Sequence, residues 1–193
     1  MPYQETDIEG VWLFQPKIFE DDRGHFFESF RPDKTFEATG FQFDVQQVNT
    51  SLSKRGVIRG IHFKKYPPGQ AKFVSVNRGK ILDVAIDLRR SSETFGRWQA
   101  FELSPDNNHC LLLGYGIGHA FLSLEDNTKV TYLCDSVFQP EIEFGINPLD
   151  AGIVWEDLAE PWGVSEFLVS DKDREAPGLD EAGELLFVKD ETT

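Results

Sequence analysis

Short apolar segments that alternate with polar residues recur along this chain, and this rhythm limits its fold more than any other feature. Eight segments between residues 45 and 134 have the period-two pattern of half-buried strands. Tight-turn residues separate them about every ten residues, a spacing typical of a β-sandwich or barrel. The predicted strands are Val45–Val48, Gly56–Phe63, Ala71–Val76, Ile81–Leu88, Trp98–Leu103, Cys110–Leu113, His119–Leu124 and Val130–Cys134.

Two segments have the pattern of a helix, so we predict an all-β fold with a few short helices. Pro32–Thr39 begins with a proline, which suits a first helical turn, and Gly40 follows its end. The second segment is Asp180–Leu186. No linker, repeat or low-complexity segment interrupts residues 1–193, so we expect one domain with a fraying polar tail from about Lys189.

The charge and the cysteine content exclude several classes of partner. The chain has 19 Lys and Arg against 33 Asp and Glu, a formal net charge of −14. Nucleic acids and anionic membranes need a basic face, so neither is expected as a partner. No apolar run approaches the ~20 residues of a membrane helix, and Met1–Gly10 is too polar to begin a signal peptide. Two cysteines favour a reducing cytoplasm.

Strand parity predicts that several polar side chains point inward among apolar ones. His62, Lys72 and Tyr132 each share a face with apolar residues on three separate strands. Such residues are costly to bury unless they are paired or functional, although each taken alone is more often structural. Arg59 has the opposite parity to His62, so both reach one pocket only if the strand bulges, for example at Gly60, or if Arg59 lies at the rim.

No motif for metal, nucleophilic or nucleotide-loop chemistry is present. The ligand motif of metal-binding cupins typically begins with two histidines two residues apart, and the four histidines here never form such a pair. A metal site built from ligands on three separate strands is still an alternative. There is no Gly-x-Ser-x-Gly elbow and no glycine-rich phosphate loop between a strand and a helix. The histidines are His25, His62, His109 and His119.

A set of motifs occurs in order along residues 8–177. The motifs are Asp22-Arg23-Gly24, Gln47-Val48-Asn49, Arg55–Phe63, Gln70-Ala71-Lys72, Arg78-Gly79, Asp83–Arg89, Thr94–Trp98, Gly118–Leu122, Tyr132-Leu133-Cys134 and Ser170–Asp173. Together, and at matching spacing, they resemble the dTDP-4-dehydrorhamnose 3,5-epimerase family. The resemblance implies a cupin-type jelly roll, a homodimer, a dTDP-linked 4-keto-6-deoxyhexose as substrate, no metal and no organic cofactor.

The resemblance also implies four catalytic roles. His62 is expected to remove the C3 and C5 protons, with Asp173 orienting its imidazole. Tyr132 is expected to return a proton from the opposite face of the sugar, since a base that returned its own proton would restore the starting configuration. Lys72 is expected beside the ketone oxygen, where one donor to a developing enolate is worth about 2.7–4 kcal/mol. A phenol stays protonated at neutral pH and can therefore donate.

The remaining positions implied by the resemblance hold the nucleotide sugar. Phe138 falls where the family usually has a tyrosine stacked on thymine, and Gly114-Tyr115-Gly116 replaces a Pro-Glu-Gly bend found in many members, a change that bears on product specificity. The predicted substrate-binding residues are Arg23, Glu28, Gln47, Asn49, Arg59, His119, Phe138, Glu143 and Lys172.

An anionic diphosphate sugar and a chain of net charge −14 are compatible only if the pocket is locally positive. We expect Arg23, Arg59, Lys72 and Lys172 to supply that charge, because screening at about 8 Å weakens distant carboxylates. Asp83 is expected to orient Lys72 across a hairpin. An epimerase acting at C3 or C5 alone, a non-catalytic sugar-nucleotide-binding cupin and a metal-dependent cupin enzyme are the alternatives.

Overall fold

The computed structural model describes residues 2–182 and 185–186. Most of its strands form two sheets, each antiparallel throughout. The larger sheet has six strands, in the spatial order β1 (Tyr3–Glu5), β2 (Val11–Phe14), β10 (Cys110–Leu113), β7 (Lys72–Arg78), β12 (Thr128–Cys134) and β5 (Gln47–Ser53). The smaller has five, in the order β13 (Glu143–Gly145), β6 (Ile58–Lys64), β11 (Ile117–Ser123), β8 (Ile81–Asp87) and β9 (Trp98–Leu103).

The other elements are short. Strands β3 (Phe19–Asp21) and β4 (Gly24–Phe26) form a separate hairpin. The α-helices are α1 (Pro32–Thr39), α2 (Trp155–Ala159) and α3 (Asp171–Arg174), and two 3₁₀ turns span Pro148–Asp150 and Glu160–Trp162. No helix in the described residues is long and apolar enough to cross a membrane. The architecture confirms the predicted all-β jelly-roll class with few short helices.

Apolar residues from both sheets meet between them, which is where period-two alternation requires the core to be. Val74 and Val130 of the six-stranded sheet pack in one cluster with Ala85 and Phe121 of the five-stranded sheet. The outer face of the five-stranded sheet is covered by a second cluster that includes Trp155. Phenylalanines from the segment around α1 cover part of the outer face of the six-stranded sheet. Residues of both sheets also line a cavity.

The strand predictions agree with the structure except at the margins. The predicted strand Val45–Val48 is β5, Gln47–Ser53, which begins two residues later and runs on through a polar stretch. Strands β1–β4 and β13 were not predicted, because three or four residues carry too little pattern to be read.

One helix prediction is confirmed and one is not. Helix α1 spans Pro32–Thr39 as predicted, and Gly40 ends it in the left-handed conformation, at φ 70°. Within Asp180–Leu186, the described residues form no α-helix: 180 and 181 are in a turn, and 183 and 184 lie outside the described residues. The predicted polar tail from Lys189 also lies outside them.

Candidate active site

A cavity of about 340 Å³ opens between the two sheets and gathers most of the predicted site residues. A larger groove of about 710 Å³ elsewhere contains none of them. Asp173 lies behind one wall of the smaller cavity, at a hydrogen bond from His62. The predicted residues lining the smaller cavity are Asn49, Arg59, His62, Lys72, His119, Tyr132, Phe138, Glu143 and Lys172.

His62 and Asp173 form a hydrogen-bonded pair although 111 residues separate them in the chain. The backbone of Leu168 bonds to Gly56 and Ile58 beside β6, and α3 begins shortly after, so Asp173 arrives next to His62. The distance from His62 Nε2 to Asp173 Oδ1 is 2.8 Å. Asp173 is buried, with a side chain 8% exposed, whereas the His62 side chain is 44% exposed to the cavity.

Asp173 is the ionised member of this pair. Burial alone would raise its pKa, but hydrogen bonds from His62, Ser170 and the Gly60 N–H outweigh burial and hold the pKa below its usual value. A carboxylate only accepts hydrogen bonds, so the proton between the two groups belongs to His62 Nε2. The other ring nitrogen, Nδ1, is then left with a lone pair that can accept a proton.

A β-bulge in β6 places Arg59 on the same side as His62. His62 pairs with His119 and Arg59 pairs with Phe121, so two residues of β6, Gly60 and Ile61, lie opposite one residue of β11. Gly60 has φ 114°, a conformation that favours glycine. The bulge that the sequence left as one of two options is confirmed.

The bulge also changes which apolar residues lie beside His62. Strict alternation along residues 56–63 would place Ile58 on the face of His62, but the structure buries Ile58 with Ile61 and Phe63 in the cluster behind the sheet. Arg59 donates from Nε to Ser53 Oγ at 3.1 Å, which holds its guanidinium against strand β5 of the six-stranded sheet.

Lys72 and Tyr132 occupy the opposite wall, on adjacent strands of the six-stranded sheet. Lys72 pairs with Cys134 and Val74 pairs with Tyr132, so Lys72 and Tyr132 are diagonal neighbours on one face. Burial lowers the pKa of Lys72, against the opposing effects of Cys134, Glu143 and Asp83.

The Tyr132 hydroxyl is within 2.9 Å of Ser51 Oγ. Burial raises the pKa of Tyr132 to about 12, so the phenol keeps its proton throughout the neutral range. Ser51 was not predicted as a site residue. It shares a face of β5 with Asn49, and that spacing of two was the signal that could have identified it.

Asp83 contacts His119 rather than Lys72, which corrects the predicted hairpin contact. Strands β7 and β8 are consecutive but belong to different sheets, so no hairpin pairing joins Lys72 to Asp83. Asp83 Oδ1 lies 2.6 Å from His119 Nε2, and both side chains are almost completely buried. Asp83 Oδ2 has no hydrogen-bond partner among the described residues. Asp83 influences Lys72 only through its charge.

Two predicted binding residues lie away from the cavity within this chain. Arg23, 89% exposed at its side chain, pairs with Asp21 in the turn of the β3–β4 hairpin. Glu28 pairs with Arg31 at the start of α1. The positive charge inside the cavity therefore comes from three of the four predicted cations: Arg59, Lys72 and Lys172.

The cavity also has polar and aromatic residues that the sequence reasoning did not assign to it. Gln70, Phe121, Cys134 and Phe144 all line it. Gln47 lies just outside and donates from Nε2 to Asn49 Oδ1 at 2.9 Å. No group of three or more His, Cys, Asp or Glu in the described part of the chain is placed to hold a metal ion.

Comparison with known proteins gives matches over nearly the whole chain. The model of the dTDP-4-dehydrorhamnose 3,5-epimerase family matches residues 5–181. A dTDP-4-dehydrorhamnose 3,5-epimerase of Mycolicibacterium smegmatis is 42% identical over 182 residues, which cover 94% of this chain and 88% of that protein.

Two solved structures have the same fold and contain sugar nucleotides. A 3'-monoepimerase of Streptomyces bikiniensis in complex with dTDP-quinovose is 42% identical, with a TM-score of 0.86 over 95% of this chain and 91% of that one. A dTDP-6-deoxy-D-glucose-3,5-epimerase of Legionella pneumophila in complex with dTDP-4-keto-L-rhamnose is 35% identical, with a TM-score of 0.85 over 97% of each chain.

Proposed function

Because this chain belongs to the dTDP-4-dehydrorhamnose 3,5-epimerase family, we propose that its cavity binds dTDP-4-dehydro-6-deoxy-D-glucose and inverts it at C3 and C5 to dTDP-4-dehydro-L-rhamnose. The protein is an isomerase. The observation that carries the assignment of roles is the placement of His62 and Tyr132 on opposite sheets, on the two walls of one cavity.

His62 acts as the base. Its Nδ1 takes the proton from the carbon beside the ketone, and the electron pair of the broken C–H bond moves to the ketone oxygen as an enolate forms. Asp173 keeps the Nε2 proton in place and stabilises the imidazolium that results. The ammonium of Lys72, on the opposite wall, stabilises the negative oxygen.

Tyr132 completes the inversion. The enolate electron pair forms a new C–H bond with the phenolic proton, which arrives from the side opposite to His62. His62 then carries one proton more and Tyr132 one fewer, so exchange with solvent must restore both before the second carbon reacts. The hydrogen bond to Ser51 stabilises the phenolate in the interval.

Substrate binding rests on the cations and the aromatic at the mouth. Arg59 and Lys172 face the cavity and suit the diphosphate, which a guanidinium binds through two parallel hydrogen bonds. His119, fixed by Asp83, and Asn49 contribute polar contacts to the sugar. Phe138 supplies an exposed ring for the thymine.

We also propose that the active form is a cytoplasmic homodimer. Val48 and Leu52 of the edge strand β5 are more than half exposed, as are the hairpin residues Phe19 and Phe26, and such an apolar surface suits a second copy. A partner copy would bring its hairpin with Arg23 towards the cavity, in keeping with the predicted role of that residue. The two free, buried cysteines fit a reducing compartment.

Turnover in deuterium oxide tests the function. We expect wild-type protein to place deuterium at both C3 and C5 of the 4-keto sugar nucleotide, with the L-configured product identified by NMR. No deuterium at either carbon would end the enzyme assignment. Deuterium and inversion at C3 alone would favour the second candidate, a 3-epimerase, which the 42% identity to a 3'-monoepimerase supports.

A further inference from the structure

The segment 135–139 carries an exposed aromatic ring on irregular backbone. It follows β12 and has neither helix nor strand structure. Phe138 in this segment is 56% exposed and lines the mouth of the cavity. An exposed ring on irregular backbone would ordinarily lose conformational freedom on binding a ligand, which weakens binding.

The backbone of this segment is held by side chains rather than by secondary structure. Four successive residues each have a main-chain group bonded to a side chain from elsewhere in the chain, at distances of 2.8–3.0 Å. The bonds are Gln70 Nε2 to the Ser136 carbonyl, Lys64 Nζ to the Val137 carbonyl, the Phe138 N–H to Gln47 Oε1 and the Gln139 N–H to Glu143 Oε1.

Lys64 is the unusual member of this set of four side chains. It is only 3% exposed, and its ammonium donates both to the Val137 carbonyl and, at 3.2 Å, to Ser136 Oγ. No carboxylate among the described residues lies within ion-pair distance of it. A buried charge is costly unless it is compensated, so a lysine here is explained by its bonds to the loop.

We propose that Lys64 is a positioning residue for nucleotide recognition, which fixes the backbone of residues 136–137 so that the ring of Phe138 is already oriented to stack on the base. The inference rests on the proposed function, since it needs a nucleotide in the cavity. The same inference gives Gln47 and Glu143 an indirect role in binding the base. Each accepts a hydrogen bond from the loop backbone, at Phe138 and Gln139 respectively, and so helps to hold the ring in place.

The experiment measures the dissociation constant of dTDP for four proteins by calorimetry: wild type, Lys64→Met, Phe138→Ala and the double variant. Methionine keeps an unbranched chain of similar length and removes both donors. Lys65→Met is the matched control, because Lys65 is the exposed neighbour in sequence and has no side-chain bond to the loop in the described structure.

We expect Phe138→Ala to weaken dTDP binding by about fivefold or more, the loss of one base–aromatic stack. Lys64→Met should weaken it by about two- to tenfold, the cost of ordering one side chain on binding. The double variant should bind like Phe138→Ala alone, because Lys64 acts only through the ring. In turnover, Lys64→Met should raise KM while kcat stays near that of Lys65→Met.

Two results would overturn the inference: a double variant whose loss is the product of the single losses, or a Lys64→Met protein that binds dTDP as tightly as Lys65→Met. If Lys64→Met does not fold, Gln70→Leu enters the same cycle, since it cuts the adjacent bond to the Ser136 carbonyl. A wild-type protein that binds no dTDP would instead contradict the proposed function.

Discussion

The pairing of His62 with Asp173 can be tested by a substitution that removes charge and keeps shape. Asp173→Asn retains the size of the side chain beside His62 Nε2 and loses the carboxylate. In the proposed mechanism the imidazole becomes positive during proton abstraction, so the wild-type carboxylate would stabilise the transition state more than the ground state. We therefore expect a fall in kcat.

The size of the fall follows from the geometry. With a contact distance of 2.8 Å, the centres of the two charges are about 4 Å apart, where the interaction is ~1 kcal/mol in water and ~4 kcal/mol at an effective dielectric of 20. The His62 side chain is 44% exposed while Asp173 is buried, so the effective value lies between these limits. The corresponding loss in kcat is about 5-fold to 10³-fold.

The assay is the initial rate of epimerisation at saturating substrate, with Asp171→Asn as the control. Asp171 is exposed and lies two residues earlier on the same short helix. Its substitution by asparagine removes the same formal charge as Asp173→Asn. A thermal scan of both variants separates lost folding from lost chemistry. If folded Asp173→Asn turned over within twofold of Asp171→Asn, the carboxylate would have no part in activating His62.

Three further substitutions address the acid, the bulge and a buried carboxylate. Tyr132→Phe should lower the rate of inversion by at least ~10²-fold. Solvent deuterium should still enter the sugar with retained configuration, because the base can return a solvent-exchanged proton. An unchanged rate of inversion, measured by NMR, would show that Tyr132 is not the acid. Gly60→Ala should lower the free energy of unfolding by about 3 kcal/mol or more in a urea titration, because its Cβ would overlap the His119 carbonyl; a loss below 1 kcal/mol would contradict the bulge. Burial opposes the ionised form of Asp87, but hydrogen bonds from Arg89 and neighbouring hydroxyls outweigh burial and lower its pKa. The ionised carboxylate therefore stabilises the fold fully above the usual carboxyl pKa, and this stabilisation is lost as the pH falls through the lowered pKa of the folded protein. Asp87→Asn should therefore cost about 1.5–3 kcal/mol at pH 7 and progressively less in acid, whereas a cost that does not depend on pH would refute this account.

Much of the site could be located from sequence because it depends on strand parity. Lys72 and Tyr132 lie on regular strands, and each points inward with the apolar neighbours that parity assigned to it. In β6, alternation predicts the wrong face for residues on one side of Gly60, because the bulge inserts an extra residue into the strand. Gly60 itself was the local sequence signal of this bulge.

The parts that local pattern could not supply are contacts between distant segments. Asp83 was assigned to Lys72 because consecutive strands usually pair, but β7 and β8 belong to different sheets and Asp83 bonds to His119. Similarly, nothing near Lys64 in the sequence indicates that its ammonium holds the backbone of residues 136 and 137.

The amino-acid order alone determined the class of fold, the strands and the inward direction of the main polar groups, because a period of two is a property of each strand by itself. Folding in three dimensions decided which strands face each other, and therefore which acid meets which base. The pairing of His62 with Asp173 across 111 residues exists only once β6 and α3 have been brought side by side. Which distant residues meet depends on the order of the strands in each sheet and on how the loops close. The same alternation pattern is compatible with several strand orders, and each would bring different residues together.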